Sequence, residues 1–194
     1  MNLANKITVA RILMIPVFIL LFPIYPAWLA DKSAILQHLN AHGFYYAGAV
    51  FLLASATDKL DGYVARKYNL VTNLGKLLDP LADKLLITAA LILMVSLHLT
   101  HAWVAFAIVG REIVITGLRI VAASRRIALQ ADSTGKIKMV FQVAAITAVL
   151  LDNRPFSFFT SIPVDQVLLY AALALTVYSG VHYVRNNYRR LELL

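Results

Sequence analysis

Apolar positions along this chain fall in long, nearly uncharged blocks rather than in the alternation of a half-buried strand or the single stripe of a surface helix. Ile12 to Ala30 gives 19 uncharged residues, enough to cross a bilayer, with Pro16, Pro23 and Pro26 as kinks or as the exit. The rival reading, a cleaved signal peptide, fits poorly: the run is too long for such an apolar core, and Ala27 and Ala30 make a weak cleavage site. Before it, Met1 to Arg11 is short, basic and amphipathic, which predicts a helix lying at the interface. Asp31 to His42 reads as a polar connection, Gly43 to about Tyr68 as a second span, and about 84 to 98 with the preceding turn as a third. His98 to His101 is a tight turn, so the fourth span, Ala102 to Ser124, is expected to run antiparallel beside the third. Arg125 to Lys138 is a polar connection. The fifth span, about 135 to 151, needs its lysines to snorkel. Asp152 to Asp165 reads as a loop half-embedded through Phe156, Phe158 and Phe159, and the sixth span, about Gln166 to Val184, ends in Arg185, Arg189 and Arg190. The pattern predicts an all-α integral membrane protein of six transmembrane helices plus a short N-terminal interfacial helix. It forms one domain over residues 1–194, without internal repeats.

Composition agrees. The chain is 60% hydrophobic and only 14% charged, with a mean hydropathy of +0.73, outside the range of soluble domains. Zero cysteines exclude disulfides, thiolate metal sites and cysteine nucleophiles. The formal charge of +8 makes no continuous basic tract, so it fits anionic headgroups and phosphorylated substrates rather than nucleic acid. With six spans and an inside N-terminus, the outer loops hold only Lys32 and Arg154, leaving 16 of the 18 Lys and Arg in the spans or on the inner side. That asymmetry predicts a multi-pass protein of the cell membrane with both termini in the cytoplasm.

The polar chemistry is concentrated. Four of the ten acidic residues lie within the 26 positions from Asp58 to Asp83. Asp58, Asp61 and Ala65 share one helical face, with Gly62 beside them, and Asp79 and Asp83 share another. Pro80 either opens a helix capped by Asp79 or kinks one begun near Asn73, and Asn69 to Gly75 reads as the turn between the two. Four carboxylates about 5 Å apart at an effective dielectric of about 20 would repel by roughly 20 kcal/mol over six pairs, more than a typical domain's stability of about 5 to 15 kcal/mol. Cations or protons must enter, and all-oxygen ligands favour Mg²⁺ or Mn²⁺ over zinc. The alternative is a solvated loop in which Lys59, Lys67, Lys76 and Lys84 pair with the aspartates. His98 and His101, three apart, lack a third zinc ligand and read as interfacial.

The arrangement Asp58-x2-Asp61-Gly62-x2-Ala65-Arg66-x8-Gly75-x3-Asp79-x3-Asp83 matches, at every fixed position, the signature of the CDP-alcohol phosphatidyltransferase family, which the chain therefore resembles. The resemblance implies transfer of a phosphatidyl group from a CDP-linked lipid to an alcohol with release of CMP. It implies one or two Mg²⁺ or Mn²⁺ ions, with Asp58, Asp61 and Asp79 as ligands and Asp83 as general base that also touches a second metal. Gly62 and Ala65 would let backbones approach each other and the nucleotide, and Arg66 would reach the pyrophosphate. Thr72, with Asn5 and Thr8 in an N-x2-T pattern, would line the pocket of the CDP-lipid. A homodimer is implied by the resemblance alone.

Arg111, Ile115 and Arg119 stack at i, i+4 and i+8 on the fourth span, with Arg111 roughly 14 Å deep. Ionisable groups at that depth normally face an interior cavity. Glu112 points about 100° away and is expected to pair poorly with Arg111 unless another helix intervenes. Arg111, Arg119, Lys136 and also Lys138 suit an acceptor that bears a phosphate, and a pocket beside Asp83 is expected to gather them. The segments around Arg111–Arg119, Gly135–Met139 and Asn5–Arg11 resemble the branch of the family whose acceptor is sn-glycerol 3-phosphate and whose donor is CDP-diacylglycerol. Inositol phosphate or serine are the competing acceptors. A transporter that moves ions or protons on the aspartates is the reading from another class, which the missing repeat disfavours. A structural scaffold would not need four carboxylates at fixed spacing.

Overall fold

The computed structural model describes residues 3–67, 73–127, 129, 134–157, 160 and 162–191, and within them the side chains other than those of residues 3–7, 58–67, 73–80, 155, 157, 190 and 191. Among the described residues there are eight α-helices and no strand: α1 Leu3–Leu21, α2 Ala27–Ala30, α3 Ala34–Lys67, α4 Asn73–Ser96, α5 Ala102–Ser124, α6 Thr134–Leu150, α7 Arg154–Ser157 and α8 Val164–Leu191.

The N-terminal end departs from expectation. A separate interfacial helix before a span over 12–30 does not form: α1 runs unbroken through Arg11 and past Pro16 to Leu21. Nothing in the sequence between Ala10 and Ile12 breaks a helix, and the lead-in is drawn into the bundle. Thr8 and Arg11 are each 1% exposed, and α1 packs on α3 and α4. Pro23 and Pro26 mark the exit, and Ala27–Ala30 is a short turn of its own. The expected connection 31–42 is helical from Ala34 onward, so α3 has 34 residues and a length of about 50 Å. Asn40 bonds the chain entering it: its side-chain oxygen accepts from Tyr25 N–H at 3.3 Å and its Nδ2 donates to Tyr25 O at 2.8 Å. Pro80 lies inside α4, the second of its two readings. The Asn69–Gly75 turn is shortened because Asn73 to Gly75 are already helical, and 68–72 lie outside the described residues.

The tight turn between α4 and α5 forms as expected. His98 takes φ 57°, and Leu99 N–H reaches back to Met94 O at 2.9 Å, so a left-handed residue closes α4 in a Schellman arrangement. Arg126 (φ 59°) closes α5 in the same way, with Ile127 N–H on Ala122 O at 2.8 Å. The expected loop 152–165 carries the single turn α7, and the basic tail through Arg189 continues α8 as helix.

α6 is the most enclosed helix, packing on α8, α3 and α4, with Ala145, Ile146, Ala148, Val149 and Leu150 all buried. On the other side, α1 and α3 interlock through Phe18, Phe22, Phe44 and Phe51. Edge-on contacts of 5.5 Å link Phe18 to Phe22 and Phe22 to Phe44, and Phe51 lies 5.9 Å from Phe18. Gly43 makes this crossing possible: a Cβ there would lie 2.4 Å from the carbonyl oxygen of Leu21.

The outer surface is apolar. Leu53, Ile92, Phe106, Ile113 and Val181 face outward from α3, α4, α5 and α8, with Phe106 79% exposed, the inverse of a water-soluble surface. Among the described residues one helix, over Val164–Arg189, is long and apolar enough to cross a bilayer. α6, at 17 residues, is about 26 Å long, short of a hydrocarbon core of about 30 Å. α5 carries Arg111, Glu112 and Arg119 within its apolar run.

Candidate active site

α4, α5, α6 and α8 enclose a cavity of about 340 Å³. α4 contributes Asp83, Lys84, Ile87 and Thr88; α5 contributes Ile108, Arg111, Glu112 and Arg119; α6 contributes Gly135, Lys136, Lys138 and Gln142; α8 contributes Tyr183. The sequence-expected group of Asp83, Arg111, Arg119 and Lys136 thus shares one cavity, with Lys138 beside it. The i, i+4, i+8 spacing on α5 explains how: Ile115 is buried, and one turn to either side of it an arginine reaches the cavity wall.

The charges are interlocked across helices. Glu112 accepts from Arg111 Nη1 at 3.2 Å and pairs with the ammonium of Lys138 on α6. The expectation was that Glu112 would pair poorly with Arg111 unless another helix intervened, and α6 intervenes through Lys138. Adjacent residues on a helix diverge at Cβ, but both side chains are long, and Lys138 draws the carboxylate toward α6. Arg111 also donates from Nη2 to Ser179 Oγ on α8 at 2.8 Å. Gly180 lies against the same arginine, where a Cβ would come within 3.1 Å of its Cγ. Arg119 donates from Nε to Tyr183 OH at 3.1 Å, with its guanidinium 4.9 Å from the centre of that ring. Lys84 donates to Thr116 Oγ1, and that hydroxyl donates to Glu112 O at 2.6 Å. Five cationic side chains and two carboxylates line the cavity, so it favours anions.

The floor is closed. Buried Gln142 donates from Nε2 to Thr176 Oγ1 at 2.9 Å, which in turn donates to Ala172 O. Beneath that pair Ile87, Leu91, Ile108, Ala145, Ile146 and Leu169 leave about 0 Å³, no room for a water.

The remaining sequence candidates divide by location. Asp58, Asp61, Gly62, Ala65 and Arg66 belong to the last turns of α3 and Asp79 to the first turns of α4, while Asn5 is on α1; their side chains lie outside the described residues, as does all of Thr72. Thr8 is buried on α1 and is not part of the cavity wall. Among the described residues no group of three or more His, Cys, Asp or Glu could hold a metal. The donor chemistry nevertheless suits a hard divalent ion. Asp58 and Asp61 on one helix end, and Asp79 and Asp83 on the start of the next, offer only carboxylate oxygen, and α3 and α4 touch.

Sequence reasoning missed the hydroxyls that hold the arginines: Ser179 for Arg111 and Tyr183 for Arg119. A signal was present, since Ser179 and Tyr183 fall one turn apart around Gly180 within the last span.

The CDP-alcohol phosphatidyltransferase family model matches residues 1–178. A Bacillus subtilis (strain 168) protein named CDP-diacylglycerol–glycerol-3-phosphate 3-phosphatidyltransferase is 45% identical over 98% of this chain and 97% of its own length. A Rickettsia typhi protein of the same name is 34% identical over 95% of this chain and 96% of its own. A rice protein named cardiolipin synthase (CMP-forming) is 32% identical over 98% of this chain and 59% of its own length. A cavity with a carboxylate at its edge and an excess of cations defines an anion-handling site within a helical bundle. With the match across the chain, it follows that this chain belongs to the CDP-alcohol phosphatidyltransferase family, and is a transferase.

Proposed function

We propose that this chain transfers the phosphatidyl group of CDP-diacylglycerol to sn-glycerol 3-phosphate, giving phosphatidylglycerol phosphate and CMP. The observation that carries the acceptor is the cavity in which Arg111, Arg119, Lys136 and Lys138 stand beside Asp83. Two relatives along the full chain bear that reaction in their names. A neutral acceptor would leave the cation excess without a counter-charge.

In this reading Asp58, Asp61 and Asp79 hold one or two divalent ions with help from Asp83, and Arg66, Gly62, Ala65, Asn5, Thr8 and Thr72 receive the CDP part of the lipid. Bound Mg²⁺ or Mn²⁺ neutralises the pyrophosphate and stabilises the departing CMP. Arg119 and Lys136 hold the acceptor's phosphate, and Arg111, fixed by Glu112 and Ser179, contributes field rather than a free fork. A primary hydroxyl of the acceptor then faces Asp83, whose carboxylate takes its proton. The hydroxyl oxygen bonds to the phosphatidyl phosphorus as the bond from that phosphorus to the CMP oxygen breaks.

The proposal includes a single membrane domain over residues 1–194 with six spans: α1, α3, α4, α5, α6 and α8. Both termini and the cavity face the cytoplasm, and the functional unit is a homodimer. The exposed apolar surface and the charge asymmetry support the topology; the dimer rests on family resemblance, and cross-linking in active detergent preparations tests it. The function is tested by CMP release from CDP-diacylglycerol with Mn²⁺ and a panel of acceptors. Release that depends on glycerol 3-phosphate is expected. Equal or faster release with serine, glycerol or inositol phosphate would overturn the assignment.

A further inference from the structure

The two arginines of the cavity are held from α8. Ser179 Oγ receives Arg111 Nη2 at 2.8 Å, and Tyr183 OH receives Arg119 Nε at 3.1 Å. These hydroxyls are one helical turn apart on α8, while their arginines are two turns apart on α5. Both residues are buried, with Ser179 and Tyr183 each 1% exposed. Gly180 leaves the gap that the Arg111 stem fills. One turn further on, Asn187 Nδ2 donates to Tyr183 O at 3.0 Å and stiffens that segment. Tyr183 takes Nε and the face of the Arg119 guanidinium, so both Nη groups are left for a ligand among the described residues. The family model matches only as far as residue 178, so this strip begins where the matched region ends, whereas the aspartate motif lies well inside it.

We propose that Ser179 and Tyr183 are positioning residues that set acceptor specificity: they hold Arg111 and Arg119 at the spacing that accepts a phosphomonoester. The inference rests on the acceptor reading above and assigns it a structural cause. Tyr183→Phe keeps the ring and removes the hydroxyl, while Tyr183→Leu removes both; Ser179→Ala and Ser179→Thr form the matching pair. The expected result for Tyr183→Phe is a KM for glycerol 3-phosphate raised roughly 10-fold, with kcat and the KM for CDP-diacylglycerol within about 2-fold. Tyr183→Leu should lose more, Ser179→Ala should resemble Tyr183→Phe, and Ser179→Thr should recover most of the loss. Affinity for inorganic phosphate, measured by calorimetry without CDP-lipid, should fall in the same order. Unchanged KM and phosphate affinity in Tyr183→Phe and Ser179→Ala, or equal loss toward both substrates, would overturn the inference. A wild type that prefers a neutral alcohol would instead overturn the acceptor reading, and the phosphate titration would still decide whether α8 positions the arginines.

Discussion

Replacing Glu112 by Gln isolates the anion that ties α5 to α6. The Glu112 carboxylate meets Arg111 at 3.2 Å and the Lys138 ammonium, and those two side chains are only 13% and 8% exposed. At an effective dielectric of about 20, a pair at 3.2 Å is worth about 5 kcal/mol before desolvation. Removing one partner of a buried pair costs about 3 to 5 kcal/mol, because the stranded charge remains. Glu112 is itself 23% exposed, and Gln keeps an oxygen for Lys138, so about 3 kcal/mol is the expected loss. For a chain of this size about 2 to 4 °C of Tm accompanies each kcal/mol, giving a fall of about 6 to 12 °C. Thermal unfolding in detergent, without substrate, measures it. Lys138→Met should cost less, since Glu112 keeps Arg111, and the double variant should be about 1 to 3 kcal/mol more stable than the sum of the singles predicts. A Tm within about 2 °C of wild type for Glu112→Gln, or simple additivity in the double variant, would refute the pairing.

Four further outcomes are expected. Asp58→Asn, Asp61→Asn or Asp79→Asn should abolish turnover, as should removal of divalent ions, with Mn²⁺ restoring only the wild type. Asp83→Asn should still bind CDP-lipid while turnover falls roughly 100-fold or more, and equal loss of metal binding in all four would make Asp83 merely a ligand. Gly43→Ala should lower stability by about 1 to 3 kcal/mol, read as Tm, because its Cβ would sit 2.4 Å from Leu21 O; an unchanged Tm would mean α1 and α3 do not cross so closely. The chain has no cysteine, so His101→Cys provides a lone label on an exposed turn. An impermeant thiol reagent should reach it only from outside, and labelling from the cytoplasm would reverse the topology.

What could be read from the sequence was what depends on spacing along one helix. The α5 bounds, the turn at His98 and the shared face of Arg111 and Arg119 all follow from run length or from the 3.6-residue period. What could not be read depended on a second helix. The start of α1 looked interfacial because Arg11 looked solvent-seeking, but its burial is decided by α3 and α4. Residues 34–42 looked like a connection because they are polar, yet they have no Gly or Pro to stop a helix. Glu112 could be read only as a condition for the same reason: its direction is set by Lys138, 26 positions away and on another element.

The packed floor beneath Gln142 has an electrical meaning. Each charge that crosses a membrane is worth about 2.3 kcal/mol per 100 mV, and a recess lined by lysines, arginines and carboxylates supplies the groups a proton wire needs. Ile87, Leu91, Ile108, Ala145, Ile146 and Leu169 end that wire where no water fits. The recess is a dead end, and under the membrane topology proposed above it would let charged substrates be handled without short-circuiting the potential across the bilayer.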